Sequence, residues 1–175
     1  FKELSKTIES FPSIIFGLET AFLSLKSENP FVFENSSFVS GLKNIPINGL
    51  IWMSNFSEMK LQIKKKIESG FDCIKIKVGS LDFKLECQLL KQFRNEFKKS
   101  DIEIRLDANG AFKYEIAMDR LKKLSDYDIH SIEQPIATKQ WDKMSLICEH
   151  SPIDIALDEE LIGIELEIEK NDFLA

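Results

Sequence analysis

The sequence is poor in the features that would assign it at sight. Its three cysteines, Cys73, Cys87 and Cys148, are an odd number without CxxC spacing, which argues against a disulfide framework or a zinc ribbon. Each lies among apolar neighbours, so buried free thiols in a reducing, cytoplasmic compartment are expected. No apolar run approaches the ~20 residues that cross a bilayer. No charged-then-apolar amino terminus resembles a signal peptide, and the chain opens at Phe1-Lys2-Glu3. Positive charge is in deficit, with 23 lysines and arginines against 29 aspartates and glutamates and a net charge of −6. That balance argues against non-specific nucleic-acid binding, though not against a small anionic substrate. Nor does a G-x-G-x-x-G or phosphate loop follow the first strand-like segment, so the usual dinucleotide fingerprint is missing.

What is present is an ordinary globular composition, 43% hydrophobic and 30% charged. Ser10 to Ser27 reads as a helix, with Pro12 in its first turn and Ile15, Leu18, Phe22 and Leu25 on one face. A connector with a Ser/Asn-rich stretch follows, from Asn29 to Asn44. Residues 1–44 thus form a helix and connector, and residues 45–175 a second region in which short apolar segments alternate with longer amphipathic ones. That alternation is the signature of successive βα units and a parallel sheet.

The expected strands are Ile47–Met53, Cys73–Val78, Glu103–Asp107, Ile129–Glu133 and Ile153–Asp158. Helical stripes separate them. Met59, Ile63 and Ile67 make one, ended by Gly70. Leu85, Leu89, Phe93 and Phe97 make another, opened by Asp82 as a cap. Tyr114, Ala117, Leu121 and Leu124 make a third, and Trp141, Met144 and Cys148 a shorter fourth. The tail, Ile164 to Glu169, fits a strand by alternation and a helix by Ile164 and Ile168. Five units of this size predict an α/β fold: a partial (β/α)8 barrel that stops before closure, preceded by a helix. An open doubly wound sheet is the other architecture the pattern admits.

The polar faces of the strands carry the functional information. Side chains alternate across a sheet, so Ile74, Ile76 and Val78 go under the helices and Lys75 and Lys77 point into the barrel. Likewise Ile104 and Leu106 face out while Arg105 and Asp107 face in. Four successive strands therefore end in an inward ionisable residue: Lys77, Asp107, Glu133 and Asp158. In barrels the chemistry sits at the carboxyl ends of the strands. The three carboxylates are 26 and 25 residues apart, one βα unit each time, and should converge on one patch. Two carboxylates ~4 Å apart repel by about 4 kcal/mol at an effective dielectric of ~20, a cost that calls for a cation. An all-oxygen donor set suits Mg²⁺ better than zinc, with Mn²⁺ the other candidate. Singly, each residue has a plainer reading: Asp107 as a turn former, Asp158-Glu159-Glu160 as an acidic helix start, and the two lysines as a wet strand face. The regular placement of four on one rim favours a site.

Lys75-Ile76-Lys77-Val78-Gly79, Arg105-Leu106-Asp107-Ala108-Asn109-Gly110, Ser131-Ile132-Glu133-Gln134-Pro135 and Ala156-Leu157-Asp158-Glu159-Glu160 resemble the enolase superfamily, in its muconate-cycloisomerase-like subgroup. Asn48-Gly49-Leu50-Ile51-Trp52-Met53 and His130 to Pro135 look most like the o-succinylbenzoate synthase family of menaquinone synthesis. The resemblance implies that Asp107, Glu133 and Asp158 bind Mg²⁺ and that Lys77 is the general base. Lys75 beside it would favour the uncharged form of Lys77 by like charge. Asn109 and Glu159 would be supporting groups. It implies a lyase acting on a small carboxylate, by proton abstraction next to the carboxylate and an enediolate. Racemases, epimerases and cycloisomerases share these motifs, and a non-catalytic partial barrel is the reading from another class. The resemblance also implies a missing capping domain, to which the first helix would be the junction, three missing barrel units, and a missing second lysine. The chain alone is therefore expected to be inactive, and its oligomeric state stays open.

Overall fold

A computed structural model describes residues 7–8, 10–33, 35–162 and 164. Glu165 to Glu169 of the ambiguous tail lie outside the described residues, and Ile164 belongs to no helix or strand. The chain divides into two compact units, Phe1–Pro46 and Ile47–Ala175.

The first unit contains α1, Pro12–Lys26, with proline in its first turn as expected. Its apolar stripe does not act as a core face in this chain. No residue of α1 is buried, and Leu25 is 82% exposed.

The second unit runs β1 (Gly49–Ile51), α2 (Phe56–Glu68), β2 (Cys73–Lys77), α3 (Phe83–Glu96), β3 (Glu103–Asp107), α4 (Tyr114–Ser125), β4 (Ser131–Glu133), α5 (Trp141–His150) and β5 (Asp154–Ala156). A 3₁₀ turn, Glu159–Leu161, follows. The five strands form one sheet in the order β1-β2-β3-β4-β5, and every pairing is parallel. Sequential strands that pair in parallel through helical crossovers give the α/β architecture expected from the alternating pattern.

The core lies between the outer face of the sheet and the helices. Ile74, Ile76, Ile104, Leu106 and Ile132 are buried with Met59 and Ile63 of α2, Leu89, Leu90 and Phe93 of α3, and Leu121 and Leu124 of α4. The helix starts are specified locally. Asn55 caps α2 by accepting from the Glu58 amide at 3.0 Å, and Asp82 caps α3 by accepting from Lys84 at 2.9 Å. Gly70 ends the turn after α2 at φ +86°, the left-handed geometry expected of it.

The structure shifts some details. Four of the five expected strands are shorter, and Ile47 is exposed instead of paired. On α3 the buried face is Glu86, Leu89, Leu90 and Phe93, with Leu85 exposed. On α5 it is Met144 and Ile147. Cys148, one position on, is rotated ~100° off that face. Of the three free thiols, then, Cys87 is buried, Cys73 half-buried and Cys148 exposed, which corrects the expectation of three buried ones.

Glu86 braces the turn after β2. Its Oε1 accepts from the Gly79 amide at 2.6 Å and the Leu81 amide at 3.3 Å. Burial pushes its carboxyl up from the usual range, by more than those backbone donors pull it down. Gly79 itself has φ +97°, and a Cβ there would collide with that of Ala111. No other residue fits this turn, which presents the end of β2 to the end of β3.

Candidate active site

The site is built at the carboxyl ends of β2, β3 and β4, on the face of the sheet away from the helices. Register explains the grouping. Lys75 pairs with Arg105, Lys77 with Asp107 and Asp107 with Glu133, so Lys77, Asp107 and Glu133 share one row and Lys75 lies in the next.

Asp107 is the hub and is only 2% exposed. Its Oδ2 accepts from Lys77 Nζ at 2.9 Å and Lys75 Nζ at 3.0 Å. Its Oδ1 accepts from the Asn109 backbone amide at 3.1 Å. Lys75 also donates to Glu133 Oε2 at 2.7 Å, linking the two carboxylates. Burial opposes the charge on both partners, yet the pairing prevails. Asp107 is held below the usual carboxylate range by Lys77 and Lys75, and Lys75 is held above the usual amine range by Glu133 and Asp107. Lys75 is thus a fixed cation beside Lys77.

Asn109 extends the network. It sits at φ +43°, a left-handed conformation that asparagine tolerates better than bulkier residues. Its Oδ1 accepts from Lys77 Nζ at 2.7 Å, and its Nδ2 donates to Glu159 Oε1 at 2.8 Å. Gly110 follows at φ +73°, where a Cβ would press on the Ala137 backbone at 3.0 Å. The turn after β3 therefore needs this Asn-Gly pair to bring Asn109 between Lys77 and Glu159.

Lys77, Lys75, Asp107, Glu133, Asn109 and Glu159 are brought together in this way. Asp158 is placed differently. β5 ends at Ala156, and Asp158 opens the 3₁₀ turn with its side chain exposed. Among the described residues no three His, Cys, Asp or Glu side chains stand close enough to hold a metal. The physical reason is that Asp158 lies two residues past the end of β5, off the strand row, while Lys75 bridges Asp107 and Glu133. The donor chemistry still fits a hard divalent cation. It is all oxygen, and Glu159 Oε2 is buried without a hydrogen-bond partner beside the cluster.

Four contributors were not legible as site residues in the sequence. Trp52, just after β1, is 61% exposed, and its ring lies 5.6 Å from Lys77 Nζ. Gln62 of α2 holds its backbone, accepting from Trp52 N at 2.8 Å and donating to Trp52 O at 3.2 Å. Gln134 and Glu160 are buried behind the rim. The available signal for Trp52 was a large aromatic immediately after a barrel strand, on the rim where βα loops carry chemistry.

The opposite end of the same face holds a looser group. Glu103 Oε1 accepts from Arg105 Nε at 2.6 Å and from Cys73 Sγ at 3.5 Å. Burial, and then Glu103, push the Cys73 thiol up to about 11. The thiol is therefore not a nucleophile at neutral pH.

Comparison with known proteins bears on both fold and site. Residues 58–166 match the family "Enolase C-terminal domain-like". The chain is 48% identical, over 157 residues, to an o-succinylbenzoate synthase of Desulfotalea psychrophila, covering 90% of this chain and 43% of that protein. The crystal structure of MenC from Desulfotalea psychrophila LSv54 superposes with a TM-score of 0.73 at 47% identity, covering 81% of this chain and 39% of that one. The o-succinylbenzoate synthase of Thermosynechococcus elongatus BP-1, solved with Mg in its active site, gives a TM-score of 0.60 at 27% identity, covering 67% and 37%. The chain thus spans less than half the length of each of these relatives.

Proposed function

The chain belongs to the enolase superfamily, and on that premise we propose that it is the β1-to-β5 part of the barrel of a divalent-metal-dependent o-succinylbenzoate synthase. The observation that carries the reading is the Lys77–Asp107–Lys75–Glu133 network at the strand ends, joined through Asn109 to Glu159.

Asp107, Glu133 and Asp158 are the residues that would hold Mg²⁺, which stabilises negative charge developing on a substrate carboxylate. Lys77 accepts the proton from the carbon next to that carboxylate, so that the C–H electron pair passes into the enediolate. The same Lys77 returns the proton to the departing hydroxyl, and the C–O bond breaks with loss of water. Lys77 is well placed for a reversible proton transfer, because its neighbours Asp107, Asn109 and Trp52 restrict Nζ to one side of the rim. Lys75 takes no proton in this scheme: bound to two carboxylates, it supplies fixed positive charge at the bottom of the site. The Trp52 ring lies 5.6 Å from Lys77 Nζ, within reach of a cation–π contact.

The test is substrate choice by the protein that joins this segment to the remaining barrel units. Mg²⁺-dependent dehydration of the hydroxylated cyclohexadiene carboxylate to o-succinylbenzoate is the expected result. Racemisation of N-acylamino acids or epimerisation of dipeptides without that dehydration would assign the same site to a different reaction. The 175-residue chain alone is expected to show no useful turnover, and turnover like that of an intact enzyme would contradict this.

A further inference from the structure

Behind the rim lies a second polar group in which the reacting residues take no part. Gln134 follows Glu133 directly, is 1% exposed, and has φ +41°. Both ends of its side-chain amide are fully used. Oε1 accepts from the backbone amides of Asp158, at 3.3 Å, and Glu160, at 3.2 Å. Nε2 donates to Ile136 O at 3.0 Å and to Glu160 Oε2 at 3.1 Å. Glu160, 3% exposed, completes the connection by accepting from the Lys139 amide at 2.7 Å through Oε1. The Gln134 backbone joins in on both sides, donating to Ala156 O at 2.9 Å and accepting from Gly110 N at 2.7 Å. One residue therefore ties together the turn after β3, the turn after β4 and the turn after β5. These are the turns that adjoin Asp107, Glu133 and Asp158.

Resting on the metal-site reading above, we infer that Gln134 is a positioning residue. With Glu160 it fixes the backbone of the turn bearing Asp158 relative to Glu133, so that the Asp158 side chain, exposed in this structure, would turn in to the same cation from a set backbone position. The chemistry of the position supports a specific need for an amide. It must accept two hydrogen bonds and donate two at once, in a buried place. Leucine would leave the Asp158 and Glu160 amides and Glu160 Oε2 unpaired. Glutamate would keep the acceptors but set a carboxylate against Glu160 Oε2. Exchanging the two residues, Gln134→Glu with Glu160→Gln, restores a donor facing an acceptor across that contact, while Ile136 O still loses its donor.

The experiment uses the 175-residue chain and Mn²⁺, followed by electron paramagnetic resonance, with amide hydrogen exchange read at Asp158, Lys139 and Glu160. Gln134→Leu and Gln134→Glu should each weaken Mn²⁺ binding roughly 10- to 100-fold, the usual effect of losing a group that orients a ligand. They should also speed exchange at the three amides. The double exchange should recover part of the affinity while Gln134→Glu alone does not. If Gln134→Leu fails to fold, the isosteric pair decides the matter by itself. Parent-like Mn²⁺ affinity in the Gln134 variants, with affinity lost in Asp158→Asn, overturns the inference and leaves the proposed function intact. Equal affinity in the parent, Asp107→Asn and Asp158→Asn, or no binding by the parent, instead removes the metal reading and the inference with it.

Discussion

The two ends of the inner sheet face carry similar residues in different states. At the carboxyl end Asp107 is 2% exposed and each charge is shared: two lysines on one oxygen, and one lysine between two carboxylates. At the amino end the Glu103–Arg105 pair has side chains 38% and 43% exposed, and His130 lies 3.9 Å from Glu103. The same strand, β3, supplies both ends. The difference shows that inward charge alone does not make a site. What distinguishes the upper end is burial, together with turns that converge on it: Asn109, Gln134 and Lys139, three of the four non-glycine residues with positive φ among the described residues, follow β3 and β4. Backbone strain of this kind persists where the surroundings fix it, as at functional sites.

The comparison can be broken at either end. The largest effect is expected for Lys77→Ala in a protein with the full barrel: kcat should fall roughly 10²- to 10⁴-fold, the usual contribution of a general base. KM should change little, and Arg105→Ala should leave kcat alone; steady-state kinetics decides both. Next comes Lys75→Met in this chain. Removing one partner of a buried pair should cost roughly 3 kcal/mol of stability without divalent metal. Urea unfolding should show much of it returned by Mg²⁺, because Asp107 and Glu133 then have a new partner. No response to Mg²⁺ would mean that the two carboxylates do not share a cation.

The lower end should respond weakly. Glu103→Gln should change stability by less than about 1 kcal/mol, since exposed pairs are screened; a larger loss in the same unfolding assay would show that both ends are structured alike. The smallest effect is a titration. Burial and Glu103 raise the Cys73 thiol to about 11, so its thiolate, the form that alkylates, appears only as pH rises toward that value. Alkylation at Cys73, located by mass spectrometry, should have its midpoint there. Because the charge of Glu103 adds to the shift, Glu103→Gln should move the midpoint down, toward the ordinary 9.0.

The faces of β2 and β3 were readable from alternation alone, because each is five residues long and both have helices over their outer side. β5 was less so. Its outer residues Ile155 and Leu157 are only half-buried, and it ends before Asp158, so strand alternation did not predict where that carboxylate would stand. The identities of Lys75, Lys77, Asp107 and Glu133 as inward residues were legible, but their pairing was not. Lys75 sits in register with Arg105 yet bonds diagonally to Asp107 and across to Glu133, a choice made by side-chain length and charge. The Gln134–Glu160 contact spans 26 residues of sequence. Nothing periodic marks it, since it depends on two irregular turns meeting.

The central claim is that the strand ends of β3, β4 and β5 share one divalent cation. Its most direct test is a Mn²⁺ titration of the chain beside Asp107→Asn, Glu133→Gln and Asp158→Asn. The account predicts one tight site in the parent, weakened by each of the three substitutions and unchanged by Glu103→Gln. Equal affinity in all five proteins, or loss only with Glu103→Gln, would contradict it.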